Sequence, residues 1–296
     1  MVYDNYILMK AYLDIVKKIL ESGYRKVNRT GTDALTITGC LFEHDMKEGF
    51  PLLTTKKVPF RLVASELEFF IRGITDKEWL KERKNHIWDE WCSPDIVPYS
   101  NDEQTKEKMM KEQELGPVYG WQWRNFGAQY VAFNKQPLGQ GTDQLKMVVE
   151  TLKKDPDSRR MIVTAWNPAD LPRMALPPCH YSFQVTVLNG KLNLLWNQRS
   201  VDVALGLPFN IASYGLLLHL LAKEAGLEEG RLIGFLGDVH IYVNHIENIR
   251  LQCERSPKEL PQIKTESFTS IFDWVYTDSV IENYDPYPAI SFEIAV

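Results

Sequence analysis

Ile211-Ala212-Ser213-Tyr214-Gly215-Leu216-Leu217-Leu218-His219-Leu220-Leu221-Ala222-Lys223-Glu224-Ala225, stopped by Gly226, is the stretch that decides the architecture. Its apolar residues fall on nearly every side of a 3.6-residue repeat, and a helix apolar all round is a buried one. The spacing predicts a central supporting helix over residues 211–225. Before it, residues 181–188 and 191–197 read as two strands joined across Asn189-Gly190, the strongest short hairpin signal in the chain. After it, residues 232–236 read as a strand, and Asp238-Val239-His240-Ile241-Tyr242 places His240 and Tyr242 on one side.

Further out, residues 5–21 carry apolar side chains at helical spacing up to Ser22-Gly23. Residues 35–42 alternate as a strand and residues 50–57 read as a second extended piece. A helix is expected over 61–72, another from the cap Gly141-Thr142-Asp143 to about residue 154, a strand over 161–166 and a helix over 244–253. Residues 92–115 are rich in Glu, Lys, Gln and Asp and read as a surface insertion with a short helix over 105–114. Strands and helices thus alternate, yet no Gly-rich phosphate fingerprint follows a strand, which favours one mixed α/β layer domain over a Rossmann unit. With no linker visible, residues 1–296 read as a single domain.

The 296 residues are 44% hydrophobic and 25% charged, the balance of a globular protein with a sizeable core. A formal charge of -5 gives no electrostatic reason to expect duplex nucleic acid or an anionic membrane as partner. Any phosphate must be met by local arginine clusters. Cys40, Cys92, Cys179 and Cys253 show neither CxxC nor Cys/His ligand spacing, so no metal site and no disulfide framework is expected. Reduced thiols in a cytoplasmic compartment fit this usage. No apolar run approaches the roughly 18 residues of a membrane span, and nothing near Asp4 or Lys17-Lys18 suggests an export signal.

Several short stretches carry chemistry. In Leu176-Pro177-Pro178-Cys179-His180 two prolines remove backbone donors and fix φ, so Cys179 is expected on a rigid, partly open turn as a candidate nucleophile. The competing reading is a small buried hydrophobe. Asn28-Arg29-Thr30-Gly31-Thr32 is a small-residue loop able to hold an anion. Glu66 and Glu68 lie within an apolar helix, where a poorly hydrated carboxylate has a raised pKa suited to proton transfer; a solvated helix face is the alternative. Trp88 and Trp91 are either core filler or a stacking wall for a flat heterocycle. Gly116-Pro117-Val118-Tyr119-Gly120 punctuates a turn around Tyr119. Arg159 and Arg160, adjacent just before an apolar strand, are expected on opposite faces, one of them held out for an anion or carboxylate.

Taken in order, these stretches together with Gln198-Arg199-Ser200-Val201-Asp202 and Gly206-Leu207-Pro208-Phe209-Asn210-Ile211-Ala212-Ser213-Tyr214 resemble the thymidylate synthase family along essentially the whole chain. The resemblance implies an α+β fold with a large, mixed, mostly antiparallel sheet, one face of which forms a homodimer. It implies reductive methylation of dUMP to dTMP, with 5,10-methylenetetrahydrofolate as co-substrate and no metal. By the same resemblance Cys179 would add to C6 of the uracil, Glu66 and Tyr119 would handle protons, and Arg199 would support the thiolate. Arg29, Arg199 and Ser200 would bind the phosphate, with Arg159 and Arg160 reaching in from a second subunit. Asn210 would read the uracil edge, and His240 and Tyr242 would hold the ribose hydroxyl. Ile87, Trp88, Trp91, Leu176, Asp202, Gly206, Phe209 and Val296 would line the folate side, Asp202 also counting among the catalytic and dUMP-binding residues.

The chain departs from the family pattern at Asn197, where Tyr is usual, at Ser65, where His is common, and at Glu68, which replaces an apolar residue. Ala204 and Pro177 are milder variation. These departures keep a dUMP 5-hydroxymethylase in view as an alternative, and a catalytically silent nucleotide-binding homodimer as a further one.

Overall fold

The computed structural model describes residues 9–27, 31–100 and 102–293. Its helices are α1 (Lys10–Ser22), α2 (Phe60–Ile71), α3 (Glu78–Glu82), α4 (Glu103–Lys111), α5 (Gly120–Asn125), α6 (Gln144–Lys154), α7 (Gly206–Ala225) and α8 (Ile246–Cys253). Its strands are β1 (Tyr24–Lys26), β2 (Ala34–Asp45), β3 (Ile162–Thr164), β4 (His180–Leu188), β5 (Lys191–Asp202), β6 (Glu228–Tyr242), β7 (Gln262–Thr265) and β8 (Ser279–Glu282). Among the described residues the strands form a six-stranded sheet in the order β1-β2-β6-β5-β4-β3 and a two-stranded sheet of β7 and β8. In the large sheet β5 and β6 run parallel and the other neighbours antiparallel, so the fold is α+β with a mixed, mostly antiparallel sheet.

The apolar helix is the central support. Every residue of α7 from Ile211 to Ala222 is buried, and α7 packs on β5, β6 and α2. The polar members of this helix find partners: buried His219 bonds Glu229 at 2.5 Å through Nδ1 and Thr265 Oγ1 at 2.9 Å through Nε2. His219 thus ties β6 to β7 of the small sheet, where Thr265 in turn meets Ser279 Oγ of β8 at 2.6 Å. A buried imidazole left without these partners would cost the helix its burial energy.

The helix begins earlier than the periodicity indicates, at Gly206. Pro208 lies in its first turn, where the missing N–H has no intrahelical acceptor to lose, so proline does not delay the start. The strand expected over residues 232–236 is longer, β6, running through Gly230, Gly234 and Gly237 to Tyr242. Gly234 is no break: a Cβ there would lie 2.4 Å from the buried Trp196 ring, so the missing side chain lets β6 pass across that indole. Residues 50–57 are not a strand. Their polar groups bond instead to the chain after α8, as in Phe50 N–H to Pro261 O at 2.7 Å and Thr54 O accepting the Tyr287 N–H at 2.8 Å. Among the described residues no helix is long and apolar enough to cross a membrane.

Candidate active site

Register gathers the site at one end of three adjacent strands. β4 starts where β5 ends, with His180 opposite Gln198, and β6 ends beside it, with Ser200 opposite Asp238 and Asp202 opposite His240. Asp202 then leads straight into the first turns of α7, which carry Gly206, Phe209 and Asn210. A Cβ on Gly206 would lie 3.8 Å from both Asn210 Oδ1 and Asp202 Cβ, so these three positions share one small region.

Cys179 sits on the turn before β4 and is half-buried. Four hydrogen bonds fix this turn. The Cys179 N–H donates to Tyr119 Oη at 2.8 Å, and the Cys179 carbonyl accepts from the Arg199 N–H at 2.8 Å. The Arg199 side chain completes the grip, Nε donating to Pro178 O at 3.0 Å and Nη2 to Pro177 O at 2.7 Å. A guanidinium has five N–H groups in a rigid fork, so the same side chain has further donors to present to an anion.

Tyr119 reaches Cys179 from a distant part of the chain because its own turn is held by close backbone packing. A Cβ on Gly120 would come within 2.4 Å of Phe70 O, so only glycine lets α5 begin against α2 at that distance. Tyr119 has φ 22° and ψ -86°, a conformation costly for a residue with a Cβ and maintained here by its surroundings. Its ring stacks on Phe70 at 4.8 Å, lies 4.5 Å from His180 and meets Trp88 edge-on at 5.9 Å. Burial, the nearby Cys179 and the nearby Glu66 hold its phenol well above the usual range.

Trp88 links this group to Glu66: its indole Nε1–H donates to Glu66 Oε1 at 2.8 Å. Glu66 keeps a little open surface, yet enough protein surrounds it that burial lifts its carboxyl to about 7, with the Trp88 bond pulling the other way. Glu68, two residues on, has a different fate. It is buried, ion-paired with Arg72 at 2.6 Å, and accepts the Tyr276 N–H at 2.8 Å. Ser65 is also buried and accepts from Asn85 Nδ2 at 2.9 Å. Both departures from the family pattern are thus absorbed by structural hydrogen bonds. Asn197 donates to Ser182 Oγ at 3.1 Å across β4 and β5.

Asn210 Oδ1 accepts from Gln198 Nε2 at 2.9 Å, and Gln198, itself buried, also donates to Ser200 O and accepts from Trp196. His240 is buried, shares a 3.0 Å contact with Asp238 and packs edge-on against half-buried Tyr242 at 5.3 Å. Asp202 Oδ1 accepts the N–H groups of Ala204 and Leu205, at 2.9 and 3.1 Å. Ile87, Trp91, Leu176 and Phe209 are partly buried against the same core as Trp88.

Some predicted residues are not gathered here. Arg159 and Arg160 lie before β3, not on it, and both are exposed on the turn after α6, so alternation of strand faces does not separate them. Arg29 and Val296 lie outside the described residues. Other residues join the site without having been singled out. Lys56, in the Thr-Thr-Lys-Lys run of the expected extended piece, is buried, donates to Ala204 O, lies over the Phe292 ring at 4.5 Å, and is pulled down to about 8 by burial against the opposing pull of Asp202. His180 is buried, bonds Tyr214 Oη at 2.9 Å and is pushed down to about 3 by burial. Neither environment is visible from local sequence, since each depends on residues brought in from far along the chain.

A cysteine on a pinned turn, a guanidinium beside it and a carboxyl poised near neutrality thus gather at one end of an α+β sheet, the kind of grouping in which an enzyme's site is sought. The family model for thymidylate synthase matches residues 10–296, and the chain belongs to the thymidylate synthase family.

Proposed function

We propose that this chain methylates dUMP at C5 to give dTMP, using 5,10-methylenetetrahydrofolate as co-substrate, and that it works as a homodimer. The observation that carries this reading is the fixation of the Cys179 turn by Tyr119 and Arg199, next to a Trp88–Glu66 pair whose carboxyl is lifted by burial to about 7.

In this reading the Cys179 thiolate attacks C6 of the uracil, and the electron pair of the C5–C6 double bond moves onto the C4 carbonyl. Carbon C5 becomes nucleophilic without any strong base. Arg199 stabilises the thiolate and, with Arg29, Ser200 and the exposed Arg159 and Arg160 of a second copy, binds the phosphate, which is how an acidic protein can hold a dianion. Asn210, oriented by Gln198, presents an amide that can accept from N3–H and donate to O4. His240 and Tyr242 take the ribose hydroxyl. Glu66, half-protonated near pH 7, and Tyr119 move protons to O4 and from C5.

The folate supplies the carbon and the hydride. The residues on its expected side suit a flat heterocycle with a polar edge: the Trp88 and Trp91 rings, apolar Ile87, Leu176 and Phe209, and Asp202 with its Oδ1 set by two backbone amides. Val296 belongs to the same expected wall. Its chemical purpose is to keep water from the reacting carbon, because water capture would yield the 5-hydroxymethyl nucleotide.

The homodimer reading rests on a row of open apolar residues across the sheet. Leu41 is 51% and Phe235 47% exposed and they are register partners on β2 and β6; half-buried Ile233 lies two residues from Phe235 on β6, with half-buried Leu195 of β5 as its register partner. Such a face on a sheet interior invites a second copy.

Incubation with 5-fluoro-dUMP and methylenetetrahydrofolate tests the function directly. A covalent adduct at Cys179 in the intact mass, absent in Cys179→Ala, is expected because fluorine at C5 cannot leave as a proton. With dUMP itself the product should be dTMP; a 5-hydroxymethyl product or neither adduct nor product would overturn the proposal.

A further inference from the structure

Lys77 lies at the start of α3, and its side chain is completely buried, 0% exposed. A buried lysine is ordinarily held by a carboxylate. Here its ammonium donates to three main-chain carbonyls: Asp89 O at 2.7 Å, Trp91 O at 2.7 Å and Met109 O at 2.6 Å. An ammonium has three N–H groups, so the set is fully used. The Lys77 backbone N–H is also engaged, donating to Gln113 O at 3.0 Å.

The acceptors belong to two separate parts of the chain. Met109 is in the last turn of α4, where carbonyls lack intrahelical donors and a cation is favoured by the helix dipole. Lys81 serves the neighbouring Met110 O at 3.0 Å in the same way. Asp89 and Trp91 belong to the turn that carries Trp88 and Trp91, and the Asp89 carboxylate is turned elsewhere, to His86 Nδ1 at 2.9 Å. Trp88 in turn donates to Glu66.

We propose that Lys77 is a positioning residue that ties the acidic and basic surface segment containing α4 to the backbone of the tryptophan turn, and thereby sets both the folate-facing wall and the indole bonded to Glu66. This rests on the reading of Trp88 and Trp91 given above. The segment over 92–115 then acts as a brace for the co-substrate side, with one ammonium as the joint. Lys81 caps the same helix end but touches no carbonyl of the turn, and so separates bracing of the wall from capping of α4.

The test compares Lys77→Met with Lys81→Ala in the full-length enzyme, using dUMP and methylenetetrahydrofolate. Lys77→Met keeps the length of the side chain and removes its donors. It should raise KM for methylenetetrahydrofolate about tenfold, while dUMP affinity stays within about twofold of wild type. It should also increase the share of 5-hydroxymethyl product and move the limb of the pH–kcat profile near 7 upward, since a displaced Trp88 no longer pulls the Glu66 carboxyl down. Lys81→Ala should leave all of these unchanged. A Lys77→Met enzyme that merely melts earlier, with folate KM, product share and pH limb as in wild type, overturns the proposal, as does a Lys81→Ala enzyme with the same defects. Should Lys77→Met fail to fold, Lys77→Gln, which retains two donors, must show an intermediate rise in folate KM; no rise overturns the proposal equally. Failure of the wild-type enzyme to make dTMP would instead sink the reading on which the inference rests.

Discussion

The main-chain N–H of Cys179 and the hydroxyl of Tyr119, sixty positions apart in sequence, are joined at 2.8 Å. This bond makes the phenol a support for the turn as well as a neighbour of the thiol. Tyr119→Phe keeps the ring stack on Phe70 and deletes only the acceptor. The expected result is a fall in kcat of about a hundredfold, the scale of a misplacement of about 1 Å, with dUMP affinity reduced far less. Steady-state kinetics alongside calorimetric dUMP binding would check it; equal losses in both would assign the hydroxyl to binding.

Glu66 should show its environment in stability as well as in rate. Its folded-state pKa, about 7, exceeds the ordinary 4.5, so the unfolded chain gives up this proton first as pH rises. The folded state therefore loses stability between about pH 4.5 and 7, and the loss persists above that range. Glu66→Gln should be more stable than wild type at pH 8, by up to about 3 kcal/mol, and no more stable at pH 4. It should also be nearly inactive. Thermal melts of both proteins across this pH range give the comparison, and a constant difference in stability would contradict the assigned ionisation.

Trp88→Phe removes the indole donor that stabilises the Glu66 carboxylate. The carboxyl should then titrate higher still, so the limb of the pH–kcat profile near 7 should move to higher pH. A downward move would mean that the indole acts on Glu66 in some other way.

Arg199→Lys keeps the charge and loses the fork. A lysine cannot serve two proline carbonyls and an anion together, so both the turn and the phosphate should suffer. A loss in kcat/KM of about a hundredfold or more is expected, shared between kcat and the dUMP KM. A change confined to KM would separate the phosphate role from that of the turn.

Asn210→Asp should weaken discrimination against dCMP, because a carboxyl offers the 4-position a different donor and acceptor pattern. Competition between dUMP and dCMP measures this, and unchanged selectivity would remove Asn210 from base recognition.

What could be read from sequence followed local chemistry. The Asn189-Gly190 hairpin forms with both residues at positive φ, 52° and 75°, as a two-residue turn demands. Asp143 caps α6 by accepting the Lys146 N–H, and the two prolines do leave Cys179 on a partly open turn ahead of β4. What could not be read depended on distant partners. Glu66 and Glu68 have similar surroundings in sequence, but Arg72 and the Tyr276 N–H claim one while Trp88 meets the other. The continuity of β6 through its glycines needed Trp196 from a neighbouring strand. The buried ammoniums of Lys56 and Lys77 depend on carbonyls brought in from other parts of the chain.

His180 follows Cys179 directly, and the pair invites comparison with enzymes in which an imidazole takes the thiol proton. Here the ring faces Tyr214 inside the core and stays neutral down to about pH 3. It holds no positive charge with which to form a thiolate–imidazolium pair at working pH. In the proposed mechanism, activation of the sulfur therefore falls to the Arg199 guanidinium. The acid limb of kcat/KM should accordingly carry no ionisation of His180 near the ordinary imidazole value of about 6.5.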